Sequence, residues 1–305
     1  MANNILTSVG SNLCSNRHYF VGAALLATSS IAAYSTYKLL RYDESRADVE
    51  NKYETEKLVN EYLVFHYGAP EEVLRYSFGP RDALDFPRRV ADEALQALLT
   101  TDKSTIPSRA LDIGCAVGRT SFELAREFEQ VVGIDFSHAF IDACNLLKDH
   151  GNLQYSVTDE GDLCTDLNAV VDSTIDRKRC HFQQGDACNL PLDLGQFGCV
   201  VGANLICRLP DPMDFLNRIP GLVASGGLLV LTTPASWDSE FTPKAKWLGG
   251  YKDKEGKPVN TLDSLKRILG PDFTLMDDRG LPMFIRETAR KNQWTVPQLS
   301  VWRRK

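Results

Sequence analysis

The 305-residue sequence lacks the features by which several classes of protein are recognised. It has no excess of basic residues, since 34 lysines and arginines stand against 40 acids and the net charge is −6. Nucleic-acid-binding proteins usually present a basic surface, so a polynucleotide substrate is disfavoured. No two of the eight cysteines are spaced as C-x-x-C. A disulfide framework and a structural zinc site are therefore not supported, and no metal site is predicted.

Acidic residues are absent from the first 42 positions, which contain Arg17, Lys38 and Arg41. Residues 18–37, HYFVGAALLATSSIAAYSTY, carry no formal charge, and a helix of that length would be about 30 Å long, enough to cross a bilayer. Serines and threonines dilute the run, so a single-pass anchor, a cleaved organelle-targeting peptide and a flexible tail stay open. The two basic residues after the run favour a membrane-anchored protein whose main domain is cytoplasmic. An organellar or a soluble cytoplasmic protein is the alternative.

The rest of the sequence predicts a helical cap over 43–100 and an α/β domain over 101–305. In the cap, helices are expected over 43–65 and from about 88 to 100. The domain alternates strands at 109–113, 131–135, 180–184, 198–203 and 227–233 with helices at 119–128, 138–150, 212–224 and 261–269. This alternation indicates a mostly parallel sheet of Rossmann-like type. Two final strands, near 273–278 and at 298–303, predict an antiparallel end to the sheet.

The segment LDIGCAVGR holds a candidate ligand site between the first strand and the following helix. Glycines such as Gly114 and Gly118 let a ligand approach the backbone closely, and a helix start offers unpaired N–H groups. A dinucleotide-binding turn would read G-x-G-x-x-G, but this one reads D-x-G-x-x-x-G. Asp112 would repel a pyrophosphate and attract an ammonium group. The turn therefore favours S-adenosylmethionine (SAM) over NAD.

Polar residues also follow three later strands. Asp135 lies 17 residues after Gly118, where an acid accepts hydrogen bonds from ribose hydroxyls. Asp186 is expected to contact the adenine amino group, and Asn204 follows the next strand. Each of these residues alone could be a helix cap or a loop residue. Because ligands of such sheets bind at the carboxyl ends of the strands, the set predicts one SAM site.

Four stretches, RALDIGCAVGRTSFELAREFEQVVGIDFSHAFIDA, ANLICRLPDP, TPASWDSEFTPKAKWLGG and YETEKLVNEYLVFHYG, resemble class I methyltransferases. They look most like the methyltransferase module of ovothiol-synthesising proteins, a 4-mercaptohistidine N1-methyltransferase. The resemblance covers about residues 52–305. It implies a Rossmann-like class I methyltransferase fold with a seven-stranded sheet, an antiparallel terminal strand and an N-terminal helical segment. It also implies cofactor contacts at Asp112, Gly114, Cys115, Gly118, Asp135, Asp186, Ala187 and Asn204.

Members of that family are commonly fused to an iron-dependent sulfoxide synthase, which this sequence lacks. Two explanations stay open: a separate synthase partner makes the substrate, or the substrate has changed.

Methyl transfer from a sulfonium is an in-line displacement, so the residues around the site must mainly align the reactants. A neutral imidazole nitrogen needs no strong base. The candidate catalytic residues are His66, Tyr67 and Asn204. A histidine-like substrate also brings a carboxylate, which Arg75 or Arg208 could clamp.

The candidate substrate residues are Tyr53, Arg75, Trp237, Trp247 and Arg286. The two tryptophans lie in an irregular loop over 234–260, where they either form a small core or line a substrate pocket. Tyr62 and Phe65 are interpreted as core residues.

The predicted function is SAM-dependent N-methylation of a small imidazole-thiol amino acid, 5-thiohistidine, in ovothiol biosynthesis. One alternative is methylation of another small molecule, such as a quinol at a membrane reached through residues 18–37. Another is a non-catalytic SAM-binding subunit that recruits a synthase.

Overall fold

The computed structural model of the chain describes residues 52–305. The predictions for the N-terminal segment 1–42, including the uncharged run 18–37, lie outside the described residues. Within 52–305, none of the helices has the length and apolar character needed to cross a membrane.

A seven-stranded sheet forms the centre of the described chain. The strands are β1 (Arg109–Ile113), β2 (Gln130–Asp135), β3 (Asn152–Glu160), β4 (Leu163–Val170), β5 (Cys180–Gln184), β6 (Phe197–Ala203), β7 (Val223–Thr233), β8 (Tyr251–Lys252), β9 (Pro258–Val259), β10 (Phe273–Gly280), β11 (Met283–Arg286), β12 (Asn292–Thr295) and β13 (Gln298–Arg304). The sheet order is β10-β13-β7-β6-β1-β2-β5. From β7 to β5 all neighbours are parallel, and β13 is antiparallel to both β7 and β10. The predicted mostly parallel sheet with an antiparallel final strand is confirmed.

The helices are α1 (Glu56–Tyr67), α2 (Pro70–Val73), α3 (Phe86–Leu98), α4 (Arg119–Leu124), α5 (His138–His150), α6 (Pro212–Leu222) and α7 (Thr261–Leu269). Their ends follow local chemistry. The side chain of Ser137 accepts from the N–H of Phe140 at the start of α5, and Gly151 ends that helix with φ 79°. Helix α5 has the predicted bounds.

Two predicted helix boundaries are wrong. The helix expected over 43–65 begins, within the described residues, at Glu56, because Thr55 acts as its N-cap. The helix expected over 119–128 ends at Leu124. After that residue the N–H groups of Arg126 and Glu127 bond to carbonyls three residues back, which tightens the chain into turns.

Both faces of the sheet are covered. On one face, Ala110, Val201 and Val230 pack in a cluster with α1, α3, α4 and α5. On the other, Leu111 and Val200 pack in a cluster with α6 and α7. This burial explains why the central parallel strand β6 is apolar along its whole length.

Three two-stranded hairpins, β3–β4, β8–β9 and β11–β12, are added to the central sheet. The sequence analysis assigned no strands to these segments. β3 and β4 alternate half-buried and exposed side chains and turn at Gly161, whose φ is 59°. Helix α1 contacts β3, β4 and β11, so two of the hairpins pack against the cap.

Candidate functional site

The turn after β1 has the backbone geometry of a ligand-binding loop. Gly114, Ala116 and Gly118 all have positive φ, at 73°, 47° and 84°. The expected central glycine is replaced by Ala116, whose N–H donates to Oδ2 of Asp135 at 2.9 Å. That bond holds the strained residue in place and joins the turn to the end of β2.

Asp135 is half-buried at the end of β2. Its Oδ2 accepts from Ala116 and its Oδ1 accepts from the N–H of Ser137 at 2.9 Å. The backbone of Phe136 also forms a hydrogen bond with this carboxylate. A carboxylate has about four lone-pair sites, so about one remains for a further donor such as a ribose hydroxyl of SAM.

Asp112 does not face outward as the sequence analysis expected. Only 1% of its surface is exposed. Its Oδ2 accepts from the Ser121 hydroxyl at 2.6 Å, which ties β1 to α4. Burial raises the pKa of Asp112 to about 7. The described hydrogen-bond partner of Asp112 is the Ser121 hydroxyl. Its direct contact with the ammonium group of the cofactor stays a prediction.

Asp186 and Ala187 begin a one-turn helix directly after β5, as predicted for the adenine end of the site. The carboxylate of Asp186 accepts from the N–H of Cys188 at 2.9 Å. Ala187 is buried beside it. Asp186 therefore caps this turn, and its contact with an adenine stays a prediction.

Asn204 lies at the end of β6 with φ 53°. Its side-chain oxygen accepts from the Thr232 hydroxyl at 2.9 Å, and its amide nitrogen lies 3.1 Å from the sulfur of Met283. Both ends of the amide therefore contact protein atoms. The visible function of Asn204 is to join β6 to β7 and to β11, while its catalytic function stays a prediction.

Cys115 is buried inside the turn, against Ile141 and Cys144. Burial raises the pKa of the Cys115 thiol well above its usual value, so the sulfur is neutral. These observations agree with a small residue that fills a tight space.

Tyr67 connects the cap to the turn. Its hydroxyl donates to the carbonyl of Val117 at 2.8 Å, and Arg119 lies over its ring, 5.5 Å from the centroid. In the described structure Tyr67 is thus a residue that holds the turn, while its catalytic assignment stays a prediction.

His66 precedes Tyr67 and is 6% exposed. Arg119 donates to its carbonyl at 3.1 Å, whereas its Nδ1 has no hydrogen-bond partner among the described residues. Burial lowers the pKa of His66 to about 3, so the ring is neutral at physiological pH. His66 cannot supply positive charge to a reaction, but its free nitrogen is available to accept or donate one hydrogen bond.

Tyr53 lies in a one-turn helix before α1 and reaches the site. Its ring packs against Tyr62 and Phe140. Its hydroxyl forms a hydrogen bond with Arg208, and the nearby charge of Asp135 acts on it. Tyr53 therefore lies within electrostatic reach of Asp135, while its contact with a substrate stays a prediction.

Arg75 and Arg286 are brought together, but by an acid that the sequence analysis missed. Both guanidinium groups form ion pairs with Oδ1 of Asp159 in β3. Arg286 is buried and also donates to the carbonyl of Glu72 at 2.7 Å. In the described structure both groups share the single negative charge of Asp159, and their contact with a substrate stays a prediction.

Trp237 and Trp247 stack with their centroids 6.5 Å apart. Their indole N–H groups donate to the Thr261 hydroxyl at 2.9 Å and to the Thr242 carbonyl at 2.7 Å. Both rings are half-buried. The pair forms a small core within the loop, and its contact with a substrate stays a prediction.

Sequence reasoning missed Asp159, Ser121 and Ser236. Ser236 receives two hydrogen bonds from Arg208, through its carbonyl at 2.9 Å and its hydroxyl at 3.1 Å. No local pattern marks these three residues, since each depends on a partner distant in sequence.

The matching family model, described as a methyltransferase domain, covers residues 111–231. Residues 111–231 form a methyltransferase domain. This region holds the turn, Asp135, Asp186 and Asn204. Together with the fold and the residues that fit a ribose, it makes SAM the cofactor of the domain.

Two curated proteins from Rauvolfia serpentina are similar to this chain. Ajmaline N-methyltransferase is 26% identical over 178 residues, covering 58% of this chain and 52% of that protein. Norajmaline N-methyltransferase is 28% identical over 173 residues, covering 56% and 51%. The chain thus spans about half the length of the curated relatives it matches.

Among solved structures, magnesium protoporphyrin IX methyltransferase from Synechocystis PCC 6803, with bound SAH, has a TM-score of 0.51. The match covers 85% of this chain and 100% of that chain at 13% identity. At that identity the likeness concerns the fold, which is the class I SAM-dependent methyltransferase fold.

Proposed function

We propose that the protein is a SAM-dependent N-methyltransferase of a small imidazole-thiol amino acid, 5-thiohistidine. The single observation that supports the methyltransferase part is the match over 111–231, which contains the turn and Asp135 at the end of β2. Two N-methyltransferases among the curated relatives support nitrogen as the atom methylated. The choice of thiohistidine rests on the stretches that resemble the ovothiol-synthesising module.

The cofactor supplies an electrophilic methyl group on a sulfonium, and the protein's task is alignment. Asp135 holds the ribose end through the lone-pair site that its three backbone donors, Ala116, Phe136 and Ser137, leave free. Tyr67 holds the turn through Val117, so the turn and the cap keep one relative position.

His66 is the residue of the cap best suited to orient a neutral imidazole. It is buried, uncharged, and carries a nitrogen without a described partner. A hydrogen bond from an imidazole N–H to Nδ1 of His66 would fix the tautomer of the substrate and leave its other ring nitrogen with a lone pair for the methyl group.

A second candidate substrate is a basic alkaloid amine. The curated relatives favour it, because both are named for ajmaline-type alkaloids. The low identity and the half-length match leave this candidate behind the first.

The test uses the full chain, labelled SAM and four acceptors: 5-thiohistidine, histidine, a quinol and norajmaline. Mass spectrometry identifies the methylated atom, and Asp135→Ala serves as the inactive control. Singly N-methylated thiohistidine is the expected product. Methylated norajmaline or quinol would replace the proposed substrate. SAM binding without any methylated product would instead support the non-catalytic subunit.

A further inference from the structure

We infer that Arg208 is the binding site for a carboxylate of the methyl acceptor, so that the acceptor is an amino acid or another carboxylic acid. The inference rests on the proposed function, and it deepens that function by naming the group that the site recognises. It also separates the two candidate substrates, since the named alkaloid amine has a basic nitrogen where the amino acid has both an amine and a carboxylate.

The position of Arg208 places it at the site. It lies in the one-turn helix Ile206–Arg208, directly after β6. Its guanidinium contacts Ser236, which follows β7, and Tyr53, which precedes α1. The Tyr53 carbonyl in turn accepts from the Ser137 hydroxyl at 2.8 Å, just after β2. Arg208 thus lies among segments that follow three strands of the sheet, at the edge where ligands of such sheets bind.

The charge of Arg208 is not neutralised by any carboxylate within ion-pair distance among residues 52–305. Its described partners are the carbonyls of Cys207 and Ser236 and the hydroxyls of Ser236 and Tyr53. Burial raises the pKa of Tyr53, so its hydroxyl is neutral. Among the described arginines, the buried Arg286 pairs with an acid, whereas Arg218, like Arg208, bonds to a backbone carbonyl and has no described acid partner.

Partial burial of a guanidinium is costly unless it is paired or hydrogen-bonded, so a carboxylate beside Arg208 would be stabilised by its charge. Here the side chain is also held rigidly. Its guanidinium lies 4.7 Å from the centre of the Phe241 ring, and Ser236 fixes one of its edges. The described partners take four of the five guanidinium N–H donors, so one N–H is left to donate to a carboxylate oxygen.

A carboxylate bound to Arg208 would also contact the neutral hydroxyl of Tyr53. It can rotate to donate to the incoming oxygen after accepting from Arg208. Arg208 and Tyr53 can therefore each donate a hydrogen bond to the same carboxylate. They would bind an uncharged or cationic group only weakly.

The experiment measures two acceptors that differ only in this group, 5-thiohistidine and its decarboxylated analogue. Full-length wild type, Arg208→Met and Arg208→Lys are compared, with Arg218→Met as the matched control. Arg218 is also half-buried and also donates to a backbone carbonyl, that of Pro191 at 3.0 Å. SAH affinity is measured by calorimetry for every variant.

Wild type is expected to favour the carboxylate-bearing acceptor by about 30-fold in kcat/KM, the size of a charge-assisted contact. Arg208→Met should abolish that preference by lowering only the value for 5-thiohistidine, with SAH affinity unchanged. Arg208→Lys should restore part of the preference, because lysine keeps the charge but not the planar fork. Equal losses for both acceptors, or a loss of SAH binding, would show a structural residue and overturn the inference.

A failure of the proposed function is distinguishable from a failure of the inference. If wild type methylates neither acceptor, calorimetry on the SAH complex compares histidine with histamine. If histidine binds more tightly than histamine, and Arg208→Met loses this preference, the carboxylate site is kept and only the proposed substrate is rejected. Equal binding of the two ligands, or no binding of either, overturns the carboxylate site.

Discussion

At the scale of single residues, the buried carboxyl of Asp112 predicts a pH dependence of stability. Its pKa is about 7 in the folded protein and about 4 in an unfolded chain. The folded state therefore binds the proton of Asp112 more tightly than the unfolded state. The contribution of this proton to the free energy of unfolding is lost as the pH rises from about 4 to about 7. The variant Asp112→Asn should keep an oxygen that accepts from the Ser121 hydroxyl. It has no carboxyl group to ionise, so its stability should not fall as the pH rises. Its free energy of unfolding relative to wild type should increase between pH 5 and pH 8, measured by urea unfolding.

Asp102→Asn is the control for that experiment. Asp102 is exposed, and hydrogen bonds from Ser104 hold its pKa below the usual value. It is ionised in both states above pH 5, so the difference between this variant and wild type should stay constant from pH 5 to pH 8. A constant difference for Asp112→Asn as well would contradict the raised pKa.

Tyr67→Phe tests the bond between the cap and the turn. The variant removes the hydroxyl that donates to the Val117 carbonyl, which should cost about 1 kcal/mol of unfolding free energy. Because Val117 precedes Gly118 in the turn, SAH affinity should fall by several-fold as well. Tyr76→Phe is the control, since its hydroxyl donates to the Ala289 carbonyl at 3.3 Å. A similar loss of SAH affinity in both variants would argue against a specific function of Tyr67.

At the scale of elements, Asp159 holds two added hairpins together. It pairs with Arg75 and with the buried Arg286, and its carbonyl accepts from the N–H of Ala289. Asp159→Asn would leave Arg286 without a carboxylate partner and should lower the unfolding free energy by about 2–4 kcal/mol. Asp166→Asn, on the exposed face of the same hairpin, should change it by less than about 0.5 kcal/mol. Chemical denaturation measures both, and equal effects would contradict the buried ion pair.

The elements of the central domain were predictable because each has a strong local signal. The strands β1, β2, β6 and β7 contain apolar runs, and α5 has a serine cap and a glycine end. The hairpin β3–β4 was not assigned, because it is half-exposed and its partners lie in the cap. In the site, Arg75 and Arg286 could be named as candidates from the sequence, but their partner could not. The acid that pairs with both, Asp159, lies about 84 and 127 residues away from them in the chain.

At the scale of the whole molecule, ligand binding should raise the unfolding temperature. A ligand that binds only the folded state stabilises it by about 2.7 kcal/mol at 100 times its Kd. For a domain of this size that corresponds to roughly 5–10 °C. SAH should produce such a shift in the full chain, measured by differential scanning calorimetry, whereas NAD should produce none. Asp135→Ala should lose the SAH shift while keeping its own unliganded transition cooperative. A shift with NAD, or an unchanged SAH shift in Asp135→Ala, would contradict the assignment of the carboxyl edge of the sheet as a SAM site.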